Sequence, residues 1–354
     1  MPQRKAKGPG SVTSRDVARA ANVSQALVSR AFTGNGRIAA ETRERILKVA
    51  AEIGWQPNAL ARSMVTGDAP LVAVVTTRLN FDWRAQVLSH LLKSVQEWHL
   101  KPLLFYAEND DEVDRLLEES MGWRTRGVIV TAGDIQPRRA EAIVSGGRFL
   151  AALNRPANHP DAFSVATDNL QGGTAAARLL KEEGRRKFLV LSGHPHSWAS
   201  MLRTRGFAET LRSQGETALV WHNDSMTIET GKECAAAFLA LGPDARPDAV
   251  FATNDALALG FMDGVRGRLD IPGDLSLIGF DNLPASSWLP YQLTTFEQPL
   301  DEMVSGIVEH INLHQQGGVP NPIDHLRHVG EDGVIYCPPK IIRRSTTKPK
   351  QRVT

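Results

Sequence analysis

The sequence predicts an α/β protein in which a small all-α head precedes a two-lobed body built on parallel, doubly wound sheets. Residues 13–53 place apolar side chains at helical spacing. From residue 71 onward, eight short apolar runs alternate with helical segments, as in sheets whose strands are joined by crossover helices. The chain of 354 residues is also too long for one compact core, so two or three domains are expected.

The charge of the chain is divided unevenly between these parts. The net charge of +2 hides a head, residues 1–66, with eleven lysines and arginines against four acidic side chains, a net charge of +7. The remaining residues carry a net charge of −5. A compact positive head on a mildly negative body favours a module that binds a polyanion such as nucleic acid. The alternative is a charged terminus that serves solubility alone.

The stretch "TSRDVARAANVSQALVSRAF" (13–32) has the pattern of two short helices around a tight turn. Thr13 and Asp16 stand as in a capping box, which predicts a helix that begins at the next residue, 14. Asn22 tolerates the left-handed backbone conformation that such a turn requires. Ser24 offers a hydroxyl to cap the second helix. A third helix, from about Glu41 to Ile53, would close a miniature core.

The second helix of this pair has the properties of a DNA-recognition helix. Its first residues would meet base edges in the major groove. There Gln25 would hydrogen-bond a base edge, Ala26 would contact a thymine methyl group, and Arg30 would reach guanine or phosphate. Ser24 and Ser29 are suited to phosphate contacts. The alternative is a helical hairpin whose polar face is only solvated.

The body should contain two lobes with a cleft between them. Its eight apolar runs fall into two groups of four, more than one sheet of ordinary size needs. Ligands bind outside the carboxyl ends of strands in such sheets. Polar residues recur there, at Thr77, Asn154, Asn254 and Asp281. The apolar runs are 71–77, 102–107, 127–132, 149–154, 188–193, 218–223, 249–254 and 275–281.

The segment "GWQPNALARSMVTG" (54–67) strengthens the interpretation of the head. Together with "VTSRDVARAANVSQALVSRAF" and "ETRERILKVAAEI", it resembles the DNA-binding head and hinge of the lactose repressor (LacI/GalR) family. The resemblance implies a head at 1–57 and a hinge at 58–67 that becomes helical on operator DNA. It places Asn58, Ala61 and Met64 at the minor groove, with Met64 at the wedge position usually held by leucine. Thr13 joins the DNA contacts of the head.

The same resemblance extends over the body, residues 68–354. It rests on "VATDNLQGGTAAARLLKEEG", "MLRTRGFAETL", "DAVFATNDALALGFM" and "DLSLIGFDNLPASSW". It implies a periplasmic-binding-protein-like core whose lobes are joined by crossings near residues 166, 295 and 325. The first lobe would comprise residues 68–165 and 296–325, and the second lobe residues 166–295 and 326–345.

The family resemblance also implies an effector site in the cleft. The Arg203 guanidinium offers hydrogen-bond donors in a planar fork, and the Asp281 carboxylate offers acceptors. Together they could bind vicinal hydroxyls or a carboxylate-bearing ligand from two sides. The alternative for this pair is a structural ion pair. Trp198, Trp221 and Trp288 offer stacking faces, with core packing as the alternative. The implied effector residues are Asn80, Phe81, Asn154, Arg203, Asn254 and Asp281.

Other classes of protein find little support in the sequence. Cys234 and Cys337 are the two cysteines and form neither a disulfide framework nor a metal motif. No nucleophile motif is found, and the paired histidines at 194–196 and 325–328 lack a third ligand. Neither catalysis, a cofactor nor a metal is therefore expected. No apolar run is long enough for a signal peptide or a membrane span, which predicts a cytoplasmic protein.

These observations predict a homodimeric transcriptional repressor that binds a palindromic operator. A small metabolite, a sugar or sugar derivative, would bind between the lobes and change operator affinity. The alternative is a solute-binding receptor of the periplasmic-binding-protein type without DNA function.

Overall fold

The computed structural model describes residues 12–33, 37–57, 70–79, 82–315 and 328–348. The chain divides into two compact units, residues 1–69 and 70–354. No helix within the described ranges is long and apolar enough to cross a bilayer.

The head is a three-helix unit. Its helices are Ser14–Ala20 (α1), Gln25–Thr33 (α2) and Ala40–Glu52 (α3). Phe32 and Trp55 pack edge to face, with ring centroids 5.0 Å apart. The buried core side chains are Val17, Ala18, Ala21, Val28, Ala31, Ile46 and Ala50.

Polar side chains and one left-handed residue set the boundaries of the first two helices, as predicted. The Thr13 amide donates to the Asp16 carboxylate at 2.9 Å, which completes the expected interaction at the start of α1. Asn22 has a φ of 52°, the left-handed conformation that the turn needs. The Ser24 hydroxyl accepts a hydrogen bond from the Leu27 amide at 3.3 Å and caps α2.

The first lobe of the body is built on a seven-stranded sheet. Its strands are Leu71–Thr77 (β1), Lys101–Ala107 (β2), Gly127–Val130 (β3), Phe149–Leu153 (β4), Phe163–Thr167 (β5), His328–Val329 (β11) and Ile335–Cys337 (β12). The order is β11-β12-β5-β4-β3-β1-β2, and only β11 pairs antiparallel with its neighbour. Its helices are Asp82–Glu97 (α4), Val113–Met121 (α5), Pro137–Ser145 (α6) and Leu300–Gln315 (α11). Helices α4 and α11 cover one face, and α5 and α6 cover the other.

The second lobe repeats this layered arrangement with four parallel strands. They are Phe188–Ser192 (β6), Ala218–His222 (β7), Ala249–Ala252 (β8) and Ser276–Ile278 (β9), in the order β7-β6-β8-β9. The helices are Asn169–Glu182 (α7), Trp198–Arg212 (α8), Ile228–Ala240 (α9) and Asp255–Val265 (α10). Helices α7 and α8 cover one face, and α9 and α10 cover the other. The predicted fold class is confirmed.

A third sheet consists of one short antiparallel pair of strands. It joins Thr295–Glu297 (β10) to Lys340–Ile342 (β13). Since β12 pairs in parallel with β5 of the first sheet, the chain passes to the second lobe for the last time between residues 337 and 340. The sequence analysis put this third crossing near residue 325. The difference arises because β11 and β12, two and three residues long, are too short for the sequence to show which sheet they join.

Candidate functional site

Helix α2 of the head exposes a polar side and buries an apolar one. Val28 and Ala31 face the core and are fully buried. Ser24 lies at the amino-terminal end, and the other predicted contact residues fall along one side of the helix. The exposed predicted contacts are Ser24, Gln25, Ala26, Ser29 and Arg30. The fold therefore presents all five to solvent together, as a recognition helix requires.

Hydrogen bonds fix the amino-terminal end of this face. The Gln25 Nε2 donates to Ser14 Oγ at 2.8 Å. The Thr13 hydroxyl donates to the Asp16 carboxylate at 2.7 Å. Gln25 thus retains its amide oxygen for a base edge, and the Ser24 hydroxyl, which accepts from the helix, retains a proton to donate to phosphate.

In the second lobe of the body, close helix packing positions Arg203 on α8. A Cβ placed on Gly173 of α7 would lie 2.0 Å from the carbonyl oxygen of Arg203, so only glycine permits this approach. The reverse contact is equally tight, because a Cβ on Gly206 would lie 2.1 Å from the carbonyl oxygen of Leu170. The two helices therefore hold the backbone of Arg203 rigidly beside the carboxyl ends of β6 and β8.

The Arg203 guanidinium is buried and well bonded. Its Nε donates to Asn169 Oδ1 at 2.7 Å, and its Nη1 donates to the Thr253 carbonyl at 2.6 Å. Nη1 also contacts Asp281 Oδ1 at 3.4 Å. The guanidinium lies over the Phe280 ring, 3.6 Å from its centroid. Arg203 and Asp281 thus form the ion pair that the sequence analysis left open as an alternative.

Asp281 is held in an uncommon environment at the carboxyl end of β9. Its φ of 115° lies in the left-handed region that favours glycine. The pKa of this carboxyl is raised to about 7, chiefly because burial disfavours its charged form. The positive charge of Arg203 lowers the pKa, and the negative charge of Asp255 raises it. Asp281 therefore exchanges its proton near neutral pH, as functional carboxyls often do.

Gln298 connects the two lobes at the cleft. Its Oε1 accepts hydrogen bonds from Asn154 Nδ2 at 3.1 Å and from Thr167 Oγ1 at 2.7 Å, both in the first lobe. Its Nε2 donates to Asp281 Oδ1 at 2.7 Å, in the second lobe. The structure thereby joins Asn154, Asp281 and Arg203 in one polar network. Sequence reasoning missed Gln298, whose only signal was its place in the predicted crossing near residue 295.

Asn254 lies at the carboxyl end of β8, but its side chain serves the fold. Its Oδ1 accepts from the Leu257 amide at 2.9 Å and caps α10. Its Nδ2 donates to the Met226 carbonyl at 3.0 Å. A direct role in binding a ligand would compete with both bonds.

A polar cavity of about 320 Å³ adjoins the network on the side of α4 and α11. Asp281 and Gln298 line one part of it, and the carboxylates of Glu297, Asp301 and Glu302 line another. Its size is at the lower end for a site that binds a small molecule.

The remaining predicted residues divide into two groups. Of the three tryptophans, Trp198 stacks on Tyr336 of the first lobe with centroids 6.3 Å apart, Trp221 packs against the second-lobe core, and Trp288 is exposed. The residues that lie outside the described ranges are Asn58, Ala61, Met64, Asn80 and Phe81.

Within the described ranges, no three histidine, cysteine, aspartate or glutamate side chains come together as metal ligands would. Both cysteines are buried, and neither forms a disulfide.

Comparison with known proteins assigns both parts of the chain. Residues 13–58 match the family described as bacterial regulatory proteins, lacI family, and residues 177–347 match the periplasmic binding protein-like domain. The catabolite control protein A of Priestia megaterium is 28% identical over 347 residues, which cover 95% of this chain and 99% of that protein. The HTH-type transcriptional repressor PurR of Vibrio atlanticus is 27% identical over 347 residues, 95% of this chain and 98% of that protein.

The same architecture occurs in a solved structure of the lac repressor dimer bound to operator and the anti-inducer ONPF. It aligns with a TM-score of 0.84 at 21% identity, over 96% of this chain and 99% of that chain. A helix-turn-helix head joined to a two-lobed binding-protein-like body defines a DNA-binding transcriptional regulator. The chain belongs to the lacI family of bacterial regulatory proteins, and its relatives are regulators and not enzymes.

Proposed function

We propose that the chain is a homodimeric repressor that binds a palindromic operator and responds to a small metabolite bound between the lobes. The exposed polar side of α2 carries the first half of this proposal, and the network at Gln298 carries the second. Head, hinge and body are assigned as in the sequence analysis, with the last crossing moved to residues 337–340. The name of the PurR relative, a repressor, supports the direction of regulation.

Operator binding is assigned to the exposed residues of α2. Gln25→Ala should change which base pairs are preferred, because a lost base-edge contact costs about 1–3 kcal/mol at one position. Arg30→Ala should weaken binding to all sequences. The matched control is Arg45→Ala, since Arg45 is an exposed arginine on α3 and the change removes the same charge from the head.

Selection from random duplexes, followed by fluorescence anisotropy at several salt concentrations, tests this assignment. The logarithm of affinity should fall linearly with the logarithm of salt concentration, and less steeply for Arg30→Ala. If neither α2 variant differs from Arg45→Ala, α2 is not the recognition element. If no duplex binds at moderate salt, the alternative of a solute receptor without DNA function gains support.

Exposed apolar side chains of the body support a dimer. Leu104 and Tyr106 project from β2, the last strand of its sheet in the described chain, and are about half exposed. In the second lobe Trp288 and Leu289 are 59% and 89% exposed. Large apolar groups on an edge strand and a loop are typical of an interface. Sedimentation should give a dimer for the native chain and a monomer for Tyr106→Asp combined with Leu289→Asp.

The effector is assigned to the carboxyl edges of the two sheets, around Asn154, Arg203 and Asp281. These residues belong to both lobes, so a ligand that binds them favours one relative orientation of the lobes. Such coupling typically amounts to about 1–3 kcal/mol. Asn80 and Phe81 remain predicted members of this site.

The variant Arg203→Lys tests the assignment, because it keeps the positive charge but loses the planar fork of N–H donors. It should abolish the effect of an active metabolite on operator affinity and leave operator binding in the absence of the metabolite unchanged. An unchanged response would exclude Arg203 from the site.

A further inference from the structure

The carboxyl edge of the first sheet gathers three arginine side chains. Arg78 follows β1, Arg84 lies in the first turn of α4, and Arg155 follows β4. The parallel strands β1, β3 and β4 are neighbours, so their carboxyl ends lie at one edge of the sheet. Arg155 is also the residue after Asn154, which reaches Gln298 and the second lobe.

Two of these arginines share one carboxylate. The Asp110 carboxylate lies 3.4 Å from Arg78 Nη2 and 3.8 Å from Arg84 Nη1. It also accepts a hydrogen bond from the Thr77 hydroxyl at 2.8 Å. A single negative charge therefore serves two guanidinium groups, of which Arg84 is largely buried.

Arg155 is the least compensated of the three. Its side chain is only 12% exposed and pairs with Asp134 at 3.3 Å, but Asp134 is 88% exposed, so water screens that pair. The buried Nη1 of Arg155 has no hydrogen-bond partner among the described residues. Burying a charge without a full set of partners is costly, which makes this group unusual in a folded protein.

The charges at this edge act on one another. Burial lowers the pKa of Arg155 to about 10, while Asp134 and Asp110 oppose that change and the positive charge of Arg84 adds to it. A pKa of about 10 still leaves the guanidinium charged at neutral pH. The edge thus holds a persistent excess of positive charge, with an N–H group that has no acceptor in the described part of the chain.

We propose that this edge binds the anionic group of the effector, a carboxylate or a phosphate, with Arg155 as its main contact. The effector would then be a sugar acid, a sugar phosphate or a comparably charged metabolite. This inference rests on the proposed effector site and adds its ligand class. The planar fork of arginine matches both groups through two parallel hydrogen bonds.

The acidic cavity that Gln298 lines gives such a ligand a preferred orientation. The carboxylates of Glu297, Asp301 and Glu302 line that cavity, so they repel an anion there. Asn154 bonds to Gln298 and Asp281 lines the cavity beside it, and their amide and carboxyl groups suit the hydroxyls of a sugar.

Thermal unfolding of the full chain tests the inference with three probes: inorganic phosphate, D-gluconate and, as the uncharged counterpart, D-glucose. Ionic strength is held constant with sodium chloride. Phosphate, gluconate or both should raise Tm with saturation, and glucose should bind at least tenfold more weakly. The more effective anion distinguishes a phosphate from a carboxylate. If neither anion raises Tm above the chloride reference, the inference is overturned.

Three variants that each replace one arginine with glutamine test where the anion binds. Arg155→Gln should weaken the apparent Kd of the effective anion at least tenfold. Arg148→Gln, at the opposite end of β4, is the matched control and should change it less than twofold. Arg78→Gln, at a side chain 42% exposed and so harmless to folding, should weaken it about threefold. Equal affinities in Arg155→Gln and Arg148→Gln would refute the assignment.

Operator binding by the same preparations separates this inference from the proposed function. Sequence-specific DNA binding without any anion effect refutes only the ligand class. An anion effect lost in Arg155→Gln but unaccompanied by DNA binding in any variant refutes the repressor proposal and leaves the anion site supported.

Discussion

Each lobe of the body buries an arginine at the carboxyl edge of its sheet, but the two arginines are compensated very differently. Arg203 in the second lobe has an amide, a carbonyl and a carboxylate as partners and an aromatic ring beneath it. Arg155 in the first lobe has one solvent-exposed carboxylate and an N–H group with no acceptor among the described residues. The fold itself holds Arg203 in place, whereas the described residues leave one N–H group of Arg155 without an acceptor.

The difference follows from where each residue lies in the chain. Arg203 is in the middle of α8, which packs tightly on α7 through Gly173, so Asn169 and Thr253 surround it from both sides. Arg155 is in a loop after β4, and its ion pair within the described ranges is with Asp134 of a neighbouring loop. The comparison predicts that one arginine stabilises the protein and the other does not.

The largest effect is expected for Arg203→Ala. The change leaves the buried Asp281 without its cation, and Asn169 and Thr253 without a donor. Breaking a buried pair in this way typically costs about 3–5 kcal/mol in the free energy of unfolding. Urea denaturation of the full chain, followed by tryptophan fluorescence, measures the loss.

Arg205→Ala is the control for that measurement. Arg205 lies on the same helix but is about half exposed, and its ion pair is with the exposed Glu209. Its loss should cost less than about 0.5 kcal/mol. Similar values for the two variants would mean that burial and partners do not distinguish Arg203.

The second effect is a dependence of stability on pH through Asp281. The folded chain holds this proton up to about pH 7, while the unfolded chain releases it near pH 4. Folding is therefore favoured most below pH 4, and this contribution is lost as the pH rises to 7. The free energy of unfolding of the native chain minus that of the Asp281→Asn variant should therefore fall by roughly 2–4 kcal/mol between pH 4 and pH 7.

Measuring both proteins at each pH cancels the contributions of other groups. A difference that stays constant from pH 4 to pH 7 would show that Arg203 compensates the Asp281 charge fully. A difference that rises with pH would show that the ion pair outweighs the effect of burial.

A third and smaller effect is expected for Gln298→Leu. This change removes the donor to Asp281 and the acceptor for Asn154 and Thr167, all close to the cleft. Unpaired buried polar groups cost about 1–3 kcal/mol in total stability. Gln214→Leu, at an exposed glutamine after α8, should leave stability unchanged, and a similar loss there would contradict the role of the network.

Much of the fold could be predicted because local patterns determine it. All eight apolar runs became strands, and Thr13, Asn22 and Ser24 took their predicted positions in the head. The five strands that lie outside those runs are only two to five residues long. They are Phe163–Thr167, Thr295–Glu297, His328–Val329, Ile335–Cys337 and Lys340–Ile342.

The site was harder to predict, because its contacts join residues that are far apart in sequence. Gln298 contacts Asn154 across 144 residues, and Arg203 contacts Asp281 across 78. The residue types at Arg203 and Asp281 suggested their pairing. No local pattern distinguishes Arg155 from any other loop arginine, since its lack of partners appears only when neighbouring loops are assembled.

The smallest effect is expected for Arg155→Gln measured without any anion. Since Arg155 is buried with incomplete compensation, replacing it with a neutral side chain removes about as much unfavourable burial as favourable pairing. The free energy of unfolding should change by less than about 1 kcal/mol, in either direction, whereas a loss of about 3–5 kcal/mol is expected for Arg203→Ala. Urea denaturation in chloride buffer measures it. A loss of 3 kcal/mol or more would place Arg155 with Arg203 as a structural residue and remove the physical basis for an anion at this edge.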